Sequence, residues 1–361
     1  MKSWSRRQFA SRALVGCASL RMFGSRVMAA EPAGACRQLA GQTVTWIIPN
    51  APGTGYDLNS RLVEPYLEKM LGAQFVLRNM TGAGGVIGAR RVMTAPPDGR
   101  TLGLINASGL LATWLAGDKS VPNPLKDFAV LGRMVANRQV IAAGSNAGLR
   151  TLNDLLGLGR KRPVVMGISD VGSSGFIAST ITAHLLDLPI EIVPGYAGPP
   201  AGVLAVLRGD VDAVIYTVDS IRPQLDAREL TPLLQMGAIS SAGMSQVPLL
   251  GGPDGMAVRH ARDQKTDAAI AEAMAAALNG LLEAGRLIVG PSRLAADVAA
   301  CLERTIAAVL GDAAFLTRAA QVGQTIEAAS GQEMRLILAS AANAFDRFAN
   351  LIADAIKKVR R

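Results

Sequence analysis

The sequence predicts a two-lobed α/β protein in which parallel or mixed sheets are flanked by helices. Three observations lead to this prediction. Strand and helix patterns alternate over residues 44–106, the alternation begins again at residue 162, and Ala-rich helical patterns follow residue 266. Strands that alternate with helices favour parallel pairing and right-handed crossovers. The two units share no sequence repeat of fixed period, so the prediction concerns their architecture alone.

The first unit begins with a short apolar strand, Val44–Ile48, whose unbroken apolar run indicates burial on both faces. Apolar residues recur at helical spacing over 57–71, which predicts a helix there. A second strand over 73–79 leads through the glycine-rich stretch 81–88 into a second helix. A third strand follows over 100–106. This order places successive strands in one parallel sheet.

The second unit repeats the alternation, and a helical tail follows it. Predicted strands cover 162–169, 190–195, 211–218 and 230–237, and predicted helices cover 174–188 and 199–210. One short β segment, "GRLIVGP", interrupts the helices of the tail. The pattern therefore predicts two α/β units joined by a helical C-terminal region.

The first 30 residues resemble an export signal of the twin-arginine type. Ser5-Arg6-Arg7-Gln8-Phe9 matches the twin-arginine pattern, and small residues near Ala29 and Ala30 suit cleavage. Arginines at 12, 21 and 26 interrupt the apolar segment, so a basic tail is the alternative reading. With a signal removed, we expect a soluble periplasmic protein, since no uncharged apolar run reaches the roughly 18 residues that cross a bilayer.

The charge of the chain gives no support for nucleic-acid binding. The formal net charge is +9, and six of the basic residues lie in the predicted signal, so nine minus six leaves +3 on the mature chain. Clusters such as Arg160-Lys161-Arg162 are typical of a solvated surface. We therefore expect no nucleic-acid partner.

The cysteines allow a disulfide without requiring one. Cys17 belongs to the predicted signal, which leaves Cys36 and Cys301, an even number in an oxidising compartment. These two could pair and attach the mature N-terminus to a C-terminal helix, or they could remain free thiols. No CxxC motif points to redox chemistry or zinc binding.

Enzyme signatures are missing from the sequence. There are two histidines, and no GxSxG, HExxH or P-loop motif occurs. The glycines at 82, 84, 85 and 88 do not have the spacing of a dinucleotide fingerprint. Ser173 and Ser174 lie between glycines, but no motif supplies a base for them. We therefore expect no enzyme activity, no cofactor and no metal.

Two glycine-rich corners between strand and helix indicate an anion site. "PNAPGTGYDLNSR" follows the first strand and "TGAGGVIG" follows the second. In a parallel sheet both corners lie at the carboxyl edge, where unpaired helix N–H groups and a partial positive charge favour a carboxylate. Thr54 and Asp57 have the spacing of a capping box. The alternative is that each corner is a plain turn into a helix.

Five stretches in order resemble the periplasmic receptors of tripartite tricarboxylate transporters, the Bug receptors. They are "VTWIIPNAPGTGYDLNSR", "LRNMTGAGGVIGARRV", "APPDGRTLGL", "DVGSSGFIAS" and "RGDVDAVI". The resemblance implies a Venus-flytrap fold. It assigns residues 37–142 and 244–361 to the first lobe and 143–243 to the second. Departures from the family pattern include Thr54 and Tyr56, where the family has small residues.

The resemblance also implies a set of ligand-binding residues, mostly acting through backbone N–H groups and water. They are Gly53, Thr54, Gly55, Tyr56, Asp57, Gly84, Gly85, Ser108, Ser173, Ser174, Tyr196 and Asp219. Asp219 would repel an anion unless it binds an amine, a hydroxyl or a water, and its alternative role is that of a turn residue. Tyr56 could stack on an aromatic acid or pack on the helix start.

The function implied is that of a receptor for a small carboxylate, either a di- or tricarboxylate or an aromatic carboxylate. The receptor would act as a monomer, bind its ligand between the lobes and present it to a membrane permease or to a sensor. Opening about the hinge would release the ligand. The alternative is an exported α/β enzyme that acts on a carboxylate through Ser173 or Asp57.

Overall fold

The computed structural model describes residues 34–359, and the predicted export signal lies outside them. The described chain contains two sheets. The first has the strand order β11-β4-β10-β3-β1-β2 and the second has β7-β6-β8-β5-β9. The strands are β1 (Thr43–Ile48), β2 (Gln74–Asn79), β3 (Thr101–Asn106), β4 (Phe128–Val135), β5 (Gln139–Gly144), β6 (Val164–Gly167), β7 (Ile190–Val193), β8 (Ala213–Thr217), β9 (Leu230–Met236), β10 (Arg286–Pro291) and β11 (Ala329–Ser330).

Thirteen α-helices accompany these strands within the described residues. They are α1 (Gly55–Leu71), α2 (Val86–Met93), α3 (Ala107–Leu115), α4 (Leu152–Gly159), α5 (Ser174–Leu185), α6 (Pro199–Arg208), α7 (Arg222–Asp226), α8 (Met256–Asp263), α9 (Ala268–Ala284), α10 (Ala296–Leu310), α11 (Ala313–Gln321), α12 (Gly331–Phe345) and α13 (Ala349–Val359). The strand–helix alternation expected in both units is therefore present.

The first sheet is mixed because a strand of the tail enters it. β1 pairs in parallel with β2 and β3, as the pattern predicts. β10 then runs antiparallel between β3 and β4. Trp46 in β1 is 1% exposed, and its indole Nε1 donates to Ser60 Oγ of α1 at 3.0 Å. This bond fixes α1 against β1, because a buried indole N–H needs a partner.

The second sheet is also mixed. β6 pairs in parallel with β7 and β8, whereas β5 runs antiparallel to both β8 and β9. The chain passes from the first sheet to the second between β4 and β5, and it returns to the first sheet at β10. The lobe boundaries at residues 143 and 243 remain a prediction, since sheet membership alone does not divide the helices between lobes.

The C-terminal helices connect the two halves of the molecule. α9 packs against α3, α5 and α12, and α13 packs against α3 and α5. The largest apolar cluster accordingly includes residues of both sheets, such as Ile105 of β3 and Ile215 of β8. The helical tail thus packs against helices that follow strands of both sheets.

Cys36 and Cys301 form a disulfide, with their Cα atoms 5.9 Å apart. Cys36 lies in the 3-10 helix Gly34–Leu39 and Cys301 lies in α10. The sequence left open whether these cysteines form a disulfide or remain free thiols, and the structure shows the disulfide. The bond attaches the start of the described chain to the first sheet's outer helices.

Candidate functional site

A cavity of about 60 Å³ is lined by residues from elements of both sheets. The first-sheet side contributes the start of α1, Gly84, Asn106 and Arg286. The second-sheet side contributes the start of β5, the loop before α5, the start of α6 and the end of β8. The carboxyl ends of β1, β2, β3, β6 and β8 all lead toward this cavity, as expected for ligand sites in open α/β sheets.

The start of α1 supplies backbone donors to the cavity. The capping box expected from Thr54 and Asp57 is wrong, since the Thr54 hydroxyl donates to the Ala51 carbonyl at 2.8 Å and caps nothing. Asp57 Oδ2 instead accepts from the Gly53 amide at 2.9 Å. The amides of Gly55 and Tyr56, in contrast, have no hydrogen-bond acceptor among residues 34–359. Among the α1 residues that line the cavity, the donors left for a ligand are therefore these two first-turn amides.

Asp57 organises this corner without lining the cavity. Its carboxylate also accepts from Asn79 Nδ2 at 3.0 Å and pairs with Arg61 at 3.0 Å. Burial alone would raise the pKa of Asp57, but the bonds from Arg61, Gly53 and Asn79 lower the pKa below its ordinary value of 3.8. The stabilisation from these bonds is therefore present above that value and is lost as the pH falls through the lowered pKa.

Replacing Asp57 by Ala should lower the free energy of unfolding by about 1 kcal/mol at pH 7, as expected when a corner loses a carboxylate that accepts several hydrogen bonds. The difference from the wild type should shrink as the pH falls below 3.8, because the wild-type carboxylate is then protonated. Urea unfolding over a pH series measures both the loss in the free energy of unfolding at pH 7 and the way that loss changes with pH. Asp354→Ala is the control, since that side chain is 77% exposed. An equal effect from both variants would contradict the stabilising role of the Asp57 hydrogen bonds.

The second glycine corner approaches the opposite lobe closely. Gly84 adopts left-handed backbone (φ 66°), and an added Cβ would lie 2.9 Å from Gly172 C and 3.1 Å from Ser173 N. The Gly85 amide donates within its own turn, to the Gly82 carbonyl at 3.0 Å. Asn106 Nδ2 donates to the Gly84 carbonyl at 3.3 Å. The second corner therefore acts as a close contact with the loop before α5 of the second sheet.

Arg286 is one of several cavity residues that the sequence reasoning missed, and Gln139 and Asp170 are others. Arg286 begins β10, is 1% exposed and lines the cavity. Its guanidinium donates to Asp219 at 2.8 Å, to Thr217 at 2.8 Å and to Ser220 at 3.2 Å. It also donates to Asn59 Oδ1 of α1. The signal that could have revealed it is a cation within "GRLIVGP", whose six strand residues are all buried.

This arginine connects the two sheets through a buried ion pair. Arg286 belongs to the first sheet, whereas Asp219 follows β8 of the second, and their side chains are 1% and 10% exposed. The guanidinium also lies 4.9 Å from the centroid of the Tyr56 ring. Burial raises the pKa of the Tyr56 hydroxyl, and the charge of Arg286 partly opposes that rise. One face of the site is thus built around a cation that already has a carboxylate partner.

The second-sheet side presents serines and an amide. Ser173 Oγ accepts from the Phe176 amide at 3.1 Å and so caps α5. Gln139 is 1% exposed; its Nε2 donates to Ser174 Oγ at 3.1 Å, and its Oε1 has no partner among the described residues. The Tyr216 hydroxyl donates to the Gly198 carbonyl at 3.1 Å, and burial raises its pKa. These contacts place several hydroxyls and one free acceptor at the cavity wall.

Half of the twelve predicted ligand-binding residues line the cavity: Thr54, Gly55, Tyr56, Gly84, Ser173 and Ser174. The other six lie outside its lining: Gly53, Asp57, Gly85, Ser108, Tyr196 and Asp219. Ser108 is 1% exposed within α3, and Tyr196 packs beside the apolar cluster of β5 and β8. The roles of all twelve in ligand binding remain predictions.

The described residues offer neither a cluster of metal ligands nor a membrane-spanning helix. Between residues 34 and 359, no group of three His, Cys, Asp or Glu side chains is placed to hold a metal ion. In the same range, none of the helices combines the length and the apolar character needed to span a bilayer.

Sequence comparison matches this chain to one family model and to individual relatives. The family model for the "Tripartite tricarboxylate transporter family receptor" matches residues 59–256. The UPF0065 protein in the tcbD-tcbE intergenic region of Pseudomonas sp. (strain P51) is 26% identical over 215 residues, which are 59% of this chain and 63% of that protein. Protein BugT of Bordetella pertussis is 27% identical over 210 residues, which are 57% of this chain and 64% of BugT. The match therefore spans slightly less than two thirds of these relatives.

Solved structures share the fold over most of the chain. R. palustris Rpa4515 with adipate has a TM-score of 0.69 at 21% identity, over 86% of this chain and 97% of that one. MatC from Rhodopseudomonas palustris with bound malate has a TM-score of 0.67 at 20% identity, over 86% and 99%. The periplasmic binding protein BugD has a TM-score of 0.68 at 19% identity, over 86% and 98%. The predicted two-lobed periplasmic-binding-protein fold is therefore confirmed.

Proposed function

Because this chain belongs to the receptor family of tripartite tricarboxylate transporters, we propose that it is an extracytoplasmic receptor for a small carboxylate. The ligand occupies the cavity between the two sheets, and opening of the lobes releases it to a membrane permease or to a sensor. The proposal includes the export signal at residues 1–30, a monomeric periplasmic protein, and lobes that consist of 37–142 with 244–361 and of 143–243. The carrying observation is the pair of free amides at the start of α1, on two residues that line the cavity.

The donors around the cavity suit a carboxylate. The Gly55 and Tyr56 amides lie at the positive end of α1, and Arg286 lies against the same helix start. A charge-assisted hydrogen bond contributes about 1.5–3 kcal/mol. Three or four such bonds, less the cost of ordering the ligand, approach the roughly 8 kcal/mol of a micromolar complex. Two neighbours of this fold have adipate and malate bound, and both of these ligands are carboxylates.

A ligand screen tests this function directly. The melting temperature should rise with at least one small mono-, di- or tricarboxylate, and calorimetry should show one binding site per chain. Mass spectrometry should recover that ligand unchanged after incubation. A new product would favour the exported-enzyme alternative, and the absence of any shift with every class of carboxylate would refute carboxylate binding.

Replacing Gly84 by Ala tests whether the lobes close on the ligand. An added Cβ would meet the backbone of Gly172 and Ser173 across the cavity, at 2.9 and 3.1 Å. Overpacking of this kind costs about 1–3 kcal/mol, so we expect affinity for the ligand to fall about 10- to 100-fold. Calorimetric titration measures the loss.

Gly209→Ala is the matched control for this substitution. Gly209 also has left-handed backbone (φ 81°), but nothing lies within 4 Å of its added Cβ. Both variants should therefore lose the same conformational stability, about 1–2 kcal/mol, while the control keeps wild-type affinity. Equal affinity in both variants would mean that the contact at Gly84 has no part in closure.

A further inference from the structure

We propose that a small oxyanion, such as phosphate or sulfate, binds at Arg222 in a second cavity that is separate from the candidate ligand site. This second cavity has a volume of about 330 Å³ and is lined by segments that adjoin strands of both sheets. The two cavities have no lining residue in common. The proposal therefore does not depend on which ligand the first cavity binds.

The second cavity lies where the chain crosses from one sheet to the other. Val135 ends β4 of the first sheet, Arg138 directly precedes β5 of the second, and both line the cavity. Residues that follow β8 and β9, and residues shortly before β11, complete the lining. Asp219 lines the second cavity, whereas its partner Arg286 lines the first. The buried ion pair therefore lies between the two cavities.

Arg222 is a cation of the second cavity whose side chain has no hydrogen-bond partner among residues 34–359. Its side chain is 22% exposed, and its one carboxylate partner within 4 Å is Asp226, at 3.9 Å. That distance is too long for a hydrogen bond, and the Asp226 side chain is 67% exposed. A guanidinium has five N–H donors and no acceptor. With those donors unpaired in a cavity, Arg222 is a suitable partner for an anion.

The carboxylates that line the second cavity already have cations of their own. Glu327 accepts from Arg138, and Asp219 accepts from Arg286 at 2.8 Å. With Arg222 included, three cations stand against two carboxylates, and three minus two leaves a charge of +1. The exposed carboxylate beside Arg222 is screened by water. An anion at Arg222 would therefore not meet an unpaired carboxylate of the lining.

Hydroxyl donors in the same lining are held in place by a buried glutamine. Gln235 is 2% exposed, and its Nε2 donates to Ser240 Oγ at 3.0 Å. Its Oε1 accepts from the Ser241 amide at 2.9 Å. Ser240 Oγ is the acceptor in the first of these bonds, so its O–H remains able to donate. Two serines of the lining are thus fixed by the core beneath them.

The turn that begins at Ser241 lies against Arg222. The Met244 amide donates to the Ser241 carbonyl at 3.0 Å, which closes a turn over residues 241–244. A Cβ added to Gly243 in this turn would lie 3.8 Å from Arg222 Nη1. The guanidinium and the serines therefore share one part of the cavity. N–H and O–H donors gathered in this way match the oxygens of a phosphate or a sulfate.

Calorimetric titration of the full chain with inorganic phosphate and with sulfate, in a buffer free of other oxyanions, tests the proposal. We expect at least one of the two anions to bind at one site per chain. Arg222→Gln keeps a polar side chain but removes the charge, and it should weaken binding about ten-fold or more, since charge-assisted hydrogen bonds are lost. Ser241→Ala removes one hydroxyl donor and should weaken binding about three-fold.

Arg304→Gln is the matched control, because Arg304 is an exposed arginine of α10 that lines neither cavity. It should keep the wild-type affinity for the anion. Equal affinity in the wild type and in Arg222→Gln would place the anion elsewhere and overturn the proposal. An equal loss in Arg222→Gln and Arg304→Gln, or no binding of either anion at millimolar concentration, would also overturn it. If Arg222→Gln does not fold, Ser241→Ala decides. None of these outcomes bears on carboxylate binding in the first cavity.

Discussion

Replacing Arg286 by Met is expected to lower the free energy of unfolding by about 3–5 kcal/mol. Removing one member of a buried ion pair leaves the other charge in a poorly solvated place, and losses of this size follow. Here the orphaned groups would be Asp219, whose side chain is 10% exposed, and Asn59, which is fully buried. Urea unfolding followed by circular dichroism measures the loss.

Two further variants separate the ion pair from general damage to the core. Arg286→Met combined with Asp219→Asn removes both charges, so it should recover part of the lost stability. Arg100→Met removes a cation from a surface pair in which the side chains are 53% and 39% exposed, and it should cost no more than about 1 kcal/mol. A loss at Arg286 as small as that at Arg100 would show that the buried pair contributes little.

Removing the disulfide is expected to lower the free energy of unfolding by about 2–4 kcal/mol. Cys36 and Cys301 are separated by 265 residues, so their bond closes a loop that includes most of the described chain. Without the bond, the unfolded chain gains conformational freedom. The 3-10 helix that carries Cys36 would then be held on α10 by packing alone. The double variant Cys36→Ala with Cys301→Ala tests this expectation by urea unfolding.

Reductant provides the control for the disulfide. Wild-type protein in excess dithiothreitol should unfold at about the same urea concentration as the double variant, and dithiothreitol should not change the double variant further. A wild-type protein whose midpoint does not respond to dithiothreitol would contradict the expected contribution. Ligand affinity should be unaffected, because neither cysteine lines the cavity.

The strands and helices around the first corner were predictable because their signals are local. The run Val44–Ile48 lies within β1, and the helical spacing after it corresponds to α1. The strands β4 and β5 were not predicted. Their burial depends on antiparallel partners that are distant in sequence, β10 for one and β8 and β9 for the other. No turn-and-helix pattern marks such strands in the sequence.

The candidate site was predictable in part for the same reason. Thr54, Gly55 and Tyr56 belong to a corner whose shape is set by neighbouring residues, and all three line the cavity. Arg286 lies more than 200 residues away from that corner in the chain, and only the insertion of β10 beside β3 brings it there. The predicted capping box of Thr54 and Asp57 was wrong for the opposite reason. The turn at Gly53 decides which amide the Asp57 carboxylate reaches, and here it reaches the Gly53 amide.

The sequence by itself determined the alternating α/β pattern, the two glycine-rich corners and the resemblance to a receptor family, since each is written in residues close together along the chain. The tertiary structure alone decided which amides stay unpaired, which cysteines meet, and which charges face the cavity. Those outcomes depend on contacts between residues far apart in sequence, where burial removes water and every donor or acceptor must find a partner.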